Sequence, residues 1–414
     1  MGFEYKNGEL YVENLKVRDI VKDVKTPAYI YSKKHFQEQF EKFNKAFTRE
    51  HCVSFAIKAN SNLSVIKTFA ELGSGADIVS KGELFRALKA GIDPSKIVFS
   101  GVAKTDDEIE YAIENGIMMM NLESLDELYA VDRVAKKLNK KGRIAFRVNP
   151  DVDPKTHPYI STGLKKNKFG IPYEEAFDAY MQAKNLDNIE IYGIQFHIGS
   201  QLLDSTPIYD ASVKVAELMR KLQDSGIELK AIDVGGGLGI VYNKKEDNPP
   251  SVETYAKQIE DAFKEFPNAL LVLEPGRFLV GNGGIMVTKV VYHKTNGKKN
   301  FIIVDAGMND LIRPSLYGAF QEIQPITQKG NKKIVCDIVG PICETGDFLA
   351  RDYEIEDTEN GQYLAVFSSG AYGFTMASNY NSRPKAVEVM VDNDAYKIIR
   401  KRESLEDLIK GETL

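Results

Sequence analysis

Eight short β-rich runs alternate with amphipathic helical segments between Cys52 and Gly276, and the strand-like runs after Gly276 have few helices between them. Together these predict an α/β protein in which a (β/α)8 TIM barrel is joined to a C-terminal, mainly β domain. The eight runs are VSFAIK (53–58), ADIVS (76–80), KIVFS (96–100), IMMMNLE (117–123), RIAFRVNP (143–150), IYGIQFHIG (191–199), LKAIDVGGG (229–237) and LLVLEPG (270–276). Segments such as SNLSVIKTFAELG (61–73) and SLDELYAVDRVAKKL (124–138) repeat apolar residues at three- and four-residue spacing, as helices packed on one face do. A doubly wound sheet would collect its ligand groups at one switch point, whereas here the candidate groups are spread over many strand ends. Beyond the barrel, FIIVDAGM (301–308), KIVCDIVG (333–340), YLAVFSSG (363–370) and AVEVMVDN (386–393) read as strands divided by Gly, Asn and charged turns, with SLEDLIKGE helical at the end. Residues 25–276 are assigned to the barrel, and 1–24 with 277–414 to the β domain. GELYVENLKVRDI and PAYIYS are expected to add strands or a connecting helix to the latter.

The chain has 414 residues, 43% of them apolar, which is enough for two domains with a substantial core. A net charge of -5, with lysines only in short pairs, argues against a nucleic-acid partner. The N-terminus has no basic start followed by an apolar run, and no apolar stretch is long enough to span a bilayer. Cys52, Cys336 and Cys343 form an odd, sparse set without CxxC spacing. That suits a reducing cytoplasm and predicts neither a disulfide framework nor a metal site.

Ligands of a (β/α)8 barrel bind at the C-terminal ends of its strands, so the polar residues there are the candidates. Lys58 ends the first run and Asp77 lies in the second. Arg147 and Asn149 end the fifth, and His197 and Ser200 the sixth. Gly235, Gly236 and Gly237 end the seventh, Glu274 and Arg277 the eighth. A strand-end lysine is ordinarily a solvated cap. Lys58 instead closes the apolar run FAIK, whose burial is expected to desolvate the amine and free it for Schiff-base chemistry. GGGLG reads either as a tight turn or as a phosphate cradle, because glycine lets backbone N–H groups approach an anion. His197 reads as a core histidine, or as a ring stacked on an aromatic cofactor. Glu274 reads as a turn residue before Pro275, or as the carboxylate that keeps a pyridine nitrogen protonated. Cys343, in GPICETGD, reads as an inert thiol or, beside Glu344, as a proton donor.

Nine ordered segments resemble the diaminopimelate decarboxylase family, among the alanine-racemase-like pyridoxal-phosphate decarboxylases of fold type III. They are AIKAN (56–60), GADIVSKGEL (75–84), STGLKKNKFGI (161–171), FHIGSQ (196–201), DVGGGLGI (233–240), EPGRFLV (274–280), MNDLIRPSLYGA (308–319), GPICETGD (340–347) and SGAYGFTMASNYNSRPK (369–385). The resemblance implies a β-sandwich for the second domain and a homodimer with shared active sites. It also implies pyridoxal 5′-phosphate as cofactor and decarboxylation of meso-2,6-diaminopimelate to L-lysine. Lys58 would hold the cofactor covalently, His197 would stack on its ring, and Ser200 with Gly235, Gly236 and Gly237 would hold its phosphate. Asp77 would be a further cofactor-binding residue, and Glu274 would pair with the ring nitrogen. Arg277, Arg313 and Tyr317 would grip the distal carboxylate of the substrate and Glu344 its distal ammonium. Tyr372 would lie at the phosphate side and among the substrate contacts. Cys343 would return a proton to the α-carbon, reaching in with Glu344 from the second subunit. AIKAN stands where an aromatic-first form is commoner, and SRPK ends the last motif where Arg is more usual; neither touches a proposed catalytic group.

Rival readings on the same barrel are ornithine, arginine or carboxynorspermidine decarboxylation. Ornithine and arginine carry no distal carboxylate for Arg277 and Arg313. A non-catalytic cofactor-binding barrel would lack a β domain with a Cys-Glu pair.

Overall fold

The structure is a computed structural model that describes residues 2–153 and 168–414. The STGLKKNKFGI segment therefore lies, at 161–167, outside the described residues. Contacts divide the chain into two compact units, one of Phe40–Ile240 with Asn248–Phe278, the other of Met1–Gln39, Val241–Asp247 and Leu279–Leu414. The first unit thus begins at Phe40 rather than 25, and the excursion at 241–247 belongs to the second.

In the first unit eight parallel strands close on themselves: β1 (His51–Ala56), β2 (Gly75–Ile78), β3 (Ile97–Phe99), β4 (Met119–Leu122), β5 (Gly142–Asn149), β6 (Ile189–Gln195), β7 (Ala231–Asp233) and β8 (Leu270–Leu273). Each strand pairs with the next, and β8 pairs with β1 through Leu271↔His51 and Val272↔Cys52, so no edge is left open. Cys52, Val98, Met119, Ala145, Ala231 and Val272 pack together as an apolar cluster contributed by six of the strands, with Met118 just ahead of β4. The Met-rich run is strand core, as its apolar parity demands.

Local capping sets where the intervening helices start. Ser80 accepts a hydrogen bond from the Glu83 amide ahead of Lys81–Ala90, and Gly91 ends that helix in a left-handed conformation (φ 93°). Thr105 and Glu108 form a reciprocal capping box on Asp106–Glu114. Among the described residues no helix is long and apolar enough to cross a membrane.

The second unit is built on the long strand Gly284–Asn296. Its first half pairs with Ala28–Ser32 on one side and Tyr363–Val366 on the other, while Val290–Asn296 pairs with Lys299–Val304. PAYIYS thus supplies a strand of this unit, flanked in parallel by Val387–Asp392. Three short strands and the helix Val17–Val24 precede it. Leu10, Val12, Val17, Ile20 and Val21 join Ile30, Ile285, Val287, Val389 and Val391 in one core. Each fully buried side chain of this kind contributes about 1.5–3 kcal/mol. This burial ties the N-terminal segment to the C-terminal sheet.

Candidate active site

Because all eight barrel strands run parallel, their C-terminal ends share one rim. Lys58, Asp77, His197, Ser200, Gly235, Gly236, Gly237, Glu274 and Arg277 all fall on or just after those ends. Lys58 does not end β1 itself but sits in the 3-10 turn Ile57–Ala59 that follows. Its Nζ lies 2.6 Å from Asp77 Oδ2, with the lysine side chain 38% exposed and Asp77 fully enclosed. The expectation that burial alone would strip the amine of solvent is therefore corrected: the FAIK run is buried, but the amine projects past it and is oriented by a carboxylate. An enclosed Asp77 without that cation would cost several kcal/mol. The second oxygen of Asp77 is buried without a hydrogen-bond partner. Glu83 accepts the Val79 amide at 2.7 Å, and burial pushes its carboxyl up to about 7.

The ends of β7 and β8 carry two further carboxyls. Burial, then the neighbouring Asp233 and Asp77, pushes Glu274 well above the usual carboxylate range. Asp233 is pushed up to about 6, burial being the largest cause. Asn121 Nδ2 donates to Asp233 Oδ2 and to Ser100 Oγ, both at 2.9 Å, and Ser100 in turn donates to Glu274 Oε1 at 3.1 Å. At this end of the site the groups are chained by hydrogen bonds rather than by ion pairs.

The glycine run makes a tight backbone passage. Gly235 and Gly237 adopt positive φ (67° and 117°), which other residues reach only with strain. A Cβ on Gly236 would stand 2.3 Å from the Glu274 carbonyl, and one on Gly237 2.5 Å from the Gly199 carbonyl. Only glycine lets this backbone pass between the loops after β6 and β8. The Gly236 N–H donates to His197 Nδ1 at 3.3 Å, which leaves the ring proton on Nε2. Burial, then Arg147 and Lys58, holds His197 well below the usual imidazole range, so the ring is neutral. Arg147 pairs with Glu123 at 3.2 Å and lies over the Phe169 ring. Arg277 donates to Ser200 Oγ at 3.0 Å, joining a residue that the resemblance gives to the substrate's distal carboxylate with one it gives to the cofactor's phosphate.

The remaining candidates belong to the second unit. Arg313 is buried, begins the helix Arg313–Tyr317 and lies 4.6 Å over the Tyr242 ring. Tyr317 closes the same helix and is half-buried. Cys343 and Glu344 are exposed. The Cys343 amide donates to Asn381 Oδ1 at 2.9 Å, and Tyr380 donates its hydroxyl to Glu344 at 2.9 Å. Tyr372 is half-buried at a positive φ of 56°.

Sequence reasoning assigned no role to Ser100, Asn121, Asp233, Glu83 or Glu123. Asp233 was the most accessible of these, since it immediately precedes the glycine run. Ser100 and Asn121 sit inside apolar runs, and only strand register marks them as inward-facing.

A family model for the pyridoxal-dependent decarboxylase, pyridoxal binding domain, matches residues 33–281. A diaminopimelate decarboxylase of Aquifex aeolicus is 51% identical over 407 residues, covering 98% of this chain and 96% of that protein. A crystal structure of the Helicobacter pylori diaminopimelate decarboxylase complexed with L-lysine superimposes with a TM-score of 0.91 at 45% identity, covering 95% of this chain and 98% of that one. The M. jannaschii diaminopimelate decarboxylase, also in complex with L-lysine, superimposes with a TM-score of 0.95 at 37% identity, covering 100% and 98%. With the rim geometry in place and likeness running the length of both units, the chain belongs to the pyridoxal-dependent decarboxylases, within the diaminopimelate decarboxylase family.

Proposed function

We propose that this chain decarboxylates meso-2,6-diaminopimelate to L-lysine and carbon dioxide, the last step of lysine biosynthesis, using pyridoxal 5′-phosphate. The observation that carries the reading is the convergence of the Lys58 amine, the buried Glu274 carboxyl and the three-glycine cradle on one barrel rim. These groups fit the cofactor part by part: an amine for its aldehyde, an acid for its ring nitrogen, and a backbone passage open to a phosphate. When bound, the cofactor supplies the electron sink for the pair released as the bond to the carboxylate breaks.

The chain's own residues bind, orient and move protons. Lys58 Nζ, oriented by Asp77, would hold the cofactor covalently through its aldehyde and would be the amine that frees the product. His197 offers a neutral ring face, locked by the Gly236 amide. Ser200 and the glycine amides take the phosphate, with Arg277 beside them on the Ser200 hydroxyl. Arg277 and Arg313 grip the distal carboxylate of the substrate with Tyr317, because guanidinium binds carboxylate bidentately. Glu344 answers the distal ammonium, and Tyr372 lies near the phosphate. Cys343 protonates the α-carbon. Cys343 and Glu344 act in the site of a second copy, so the working unit is a homodimer, and the reaction runs in the cytoplasm without nucleic-acid partners.

The test is incubation with cofactor and separate candidate substrates, followed by identification of the amine product. Lysine from meso-diaminopimelate is expected. Ornithine and arginine should fall behind by about 10⁴-fold, because they leave the arginines unpaired. Efficient turnover of ornithine, arginine or carboxynorspermidine with diaminopimelate poor would overturn the substrate. Cofactor binding without any turnover would leave a non-catalytic barrel.

A further inference from the structure

We infer that Tyr242 is a positioning residue for substrate recognition: its ring holds the face of the Arg313 guanidinium and so fixes the plane in which that fork meets the distal carboxylate of the substrate. The inference deepens the reading above and rests on it, since it takes Arg313 as a carboxylate ligand.

The stack joins two buried groups of the same unit. Arg313 is 7% exposed and Tyr242 8%, and the guanidinium carbon lies 4.6 Å over the ring centroid. A cation over an aromatic face is attracted by the ring's quadrupole, more strongly where water is excluded. A guanidinium carries its N–H donors in its own plane. A ring on its face therefore restrains its tilt without occupying a donor, whereas a hydrogen-bonding partner would occupy one. Arg277, the other proposed carboxylate ligand, is oriented in that second way, through the Ser200 hydroxyl at 3.0 Å.

Both sides of the stack stand on fixed backbone. Tyr242 opens a turn closed by Asp247, whose Oδ2 accepts the Tyr242 and Asn243 amides, both at 2.8 Å. The Asn243 carbonyl accepts the Asp247 amide in return, also at 2.8 Å. One residue earlier, the Val241 carbonyl accepts Asn282 Nδ2 at 3.1 Å. Short polar side chains that bond nearby backbone amides are what hold such turns. On the other side, Arg313 begins the helix Arg313–Tyr317, where Pro314 pre-sets the first turn and the Gly318 amide bonds the Arg313 carbonyl. An arginine on a fixed backbone still has many rotamers. The Tyr242 ring selects among them before substrate arrives, which lowers the ordering cost of binding. Removing the ring leaves the charge of Arg313 in place but not its orientation. The loss should therefore fall on affinity, and only through Arg313.

The experiment compares Tyr242→Leu and Tyr242→Phe in the cofactor-loaded protein, with and without Arg313→Ala. Tyr242→Leu should raise KM for meso-diaminopimelate about tenfold and leave kcat within about twofold, as expected for a contact equally strong in the ground and transition states. The calorimetric affinity for L-lysine, which keeps the distal carboxylate, should also fall about tenfold. Tyr242→Phe keeps the ring and should stay within about twofold of the parent on both readings. In the Arg313→Ala background, Tyr242→Leu should lower kcat/KM by no more than about twofold, because the group it positions is gone. The affinity for pyridoxal phosphate and its visible absorption should match the parent's in both Tyr242 variants. Equal losses in the two backgrounds, a fall in kcat with KM unchanged, a loss in Tyr242→Phe as large as in Tyr242→Leu, or weakened cofactor binding would each overturn the positioning role. Tyr242→Met is a second ring-free variant and carries the same comparison if Tyr242→Leu does not fold. An Arg313→Ala protein that keeps the parental kcat/KM would instead overturn the reading of Arg313 on which the inference rests.

Discussion

Lys104, in the loop after β3, is a buried cation whose removal should be costly. Its side chain is fully enclosed, and its three N–H donors are matched by three acceptors: the Gly101 carbonyl at 2.7 Å, the Asn121 carbonyl at 2.6 Å and Glu127 Oε1 at 2.7 Å. The ammonium also lies 5.2 Å over the Phe99 ring. Lys104→Met keeps the length and removes the charge, leaving Glu127 with the Glu123 amide at 2.7 Å on its other oxygen. Breaking a buried pair by removing one partner costs about 3–5 kcal/mol. The loss also reaches the site, since Asn121 gives up an anchor on its carbonyl while its side chain holds Asp233. Urea unfolding followed by far-ultraviolet circular dichroism reads this directly, because most of the helices belong to the barrel unit. In a double-mutant cycle, Lys104→Met with Glu127→Leu should recover at least about 1 kcal/mol relative to the sum of the singles. A loss below about 1 kcal/mol for Lys104→Met, the range of an exposed pair, would refute the reasoning.

Glu83 gives a pH prediction of definite sign. Its folded carboxyl is raised from 4.5 to about 7, so its contribution is fully present below 4.5 and is lost as pH rises through about 7. Glu83→Gln should therefore gain Tm relative to the parent across that window, and parallel curves would refute this. Borohydride should remove the visible absorption of the cofactor complex while fixing the label to Lys58, and Lys58→Ala should lower turnover by at least about 10²-fold. A labelled peptide from elsewhere in the chain would count against it. Mixing inactive Lys58→Ala with inactive Cys343→Ala protein should restore roughly a quarter of the sites if two subunits share each one. No recovery despite demonstrated subunit exchange would place both residues in one chain's site.

Local chemistry reached far in this chain. The eight apolar runs correspond to β1–β8 within a few residues, because a strand buried in a barrel needs a short apolar stretch wherever it occurs. The rim candidates followed from the same pattern, since parallel strands put all their C-terminal ends on one side. Gly284–Asn296 was harder to read: GIMVTKVV is apolar on both faces where it is sandwiched between neighbours, then turns polar where it becomes exposed. Phe348–Glu356 and Ala395–Arg400 are partly exposed strands with weak alternation, and so carry little signal.

By itself, the sequence determined the barrel, the order of its rim residues and the glycine run, because strand length, apolar runs and the need for positive φ are properties of neighbouring residues. Only the tertiary structure decided which of those residues meet. Lys58 finds Asp77 because β1 and β2 pair with Ala56 opposite Asp77, and Ser100 and Asn121 reach Glu274 and Asp233 because the barrel closes. It also decided that Met1–Gln39 completes the unit built by Leu279–Leu414, through the pairing of Tyr29 with Met286. Contacts between residues tens to hundreds of positions apart depend on register and closure, and no local period encodes them.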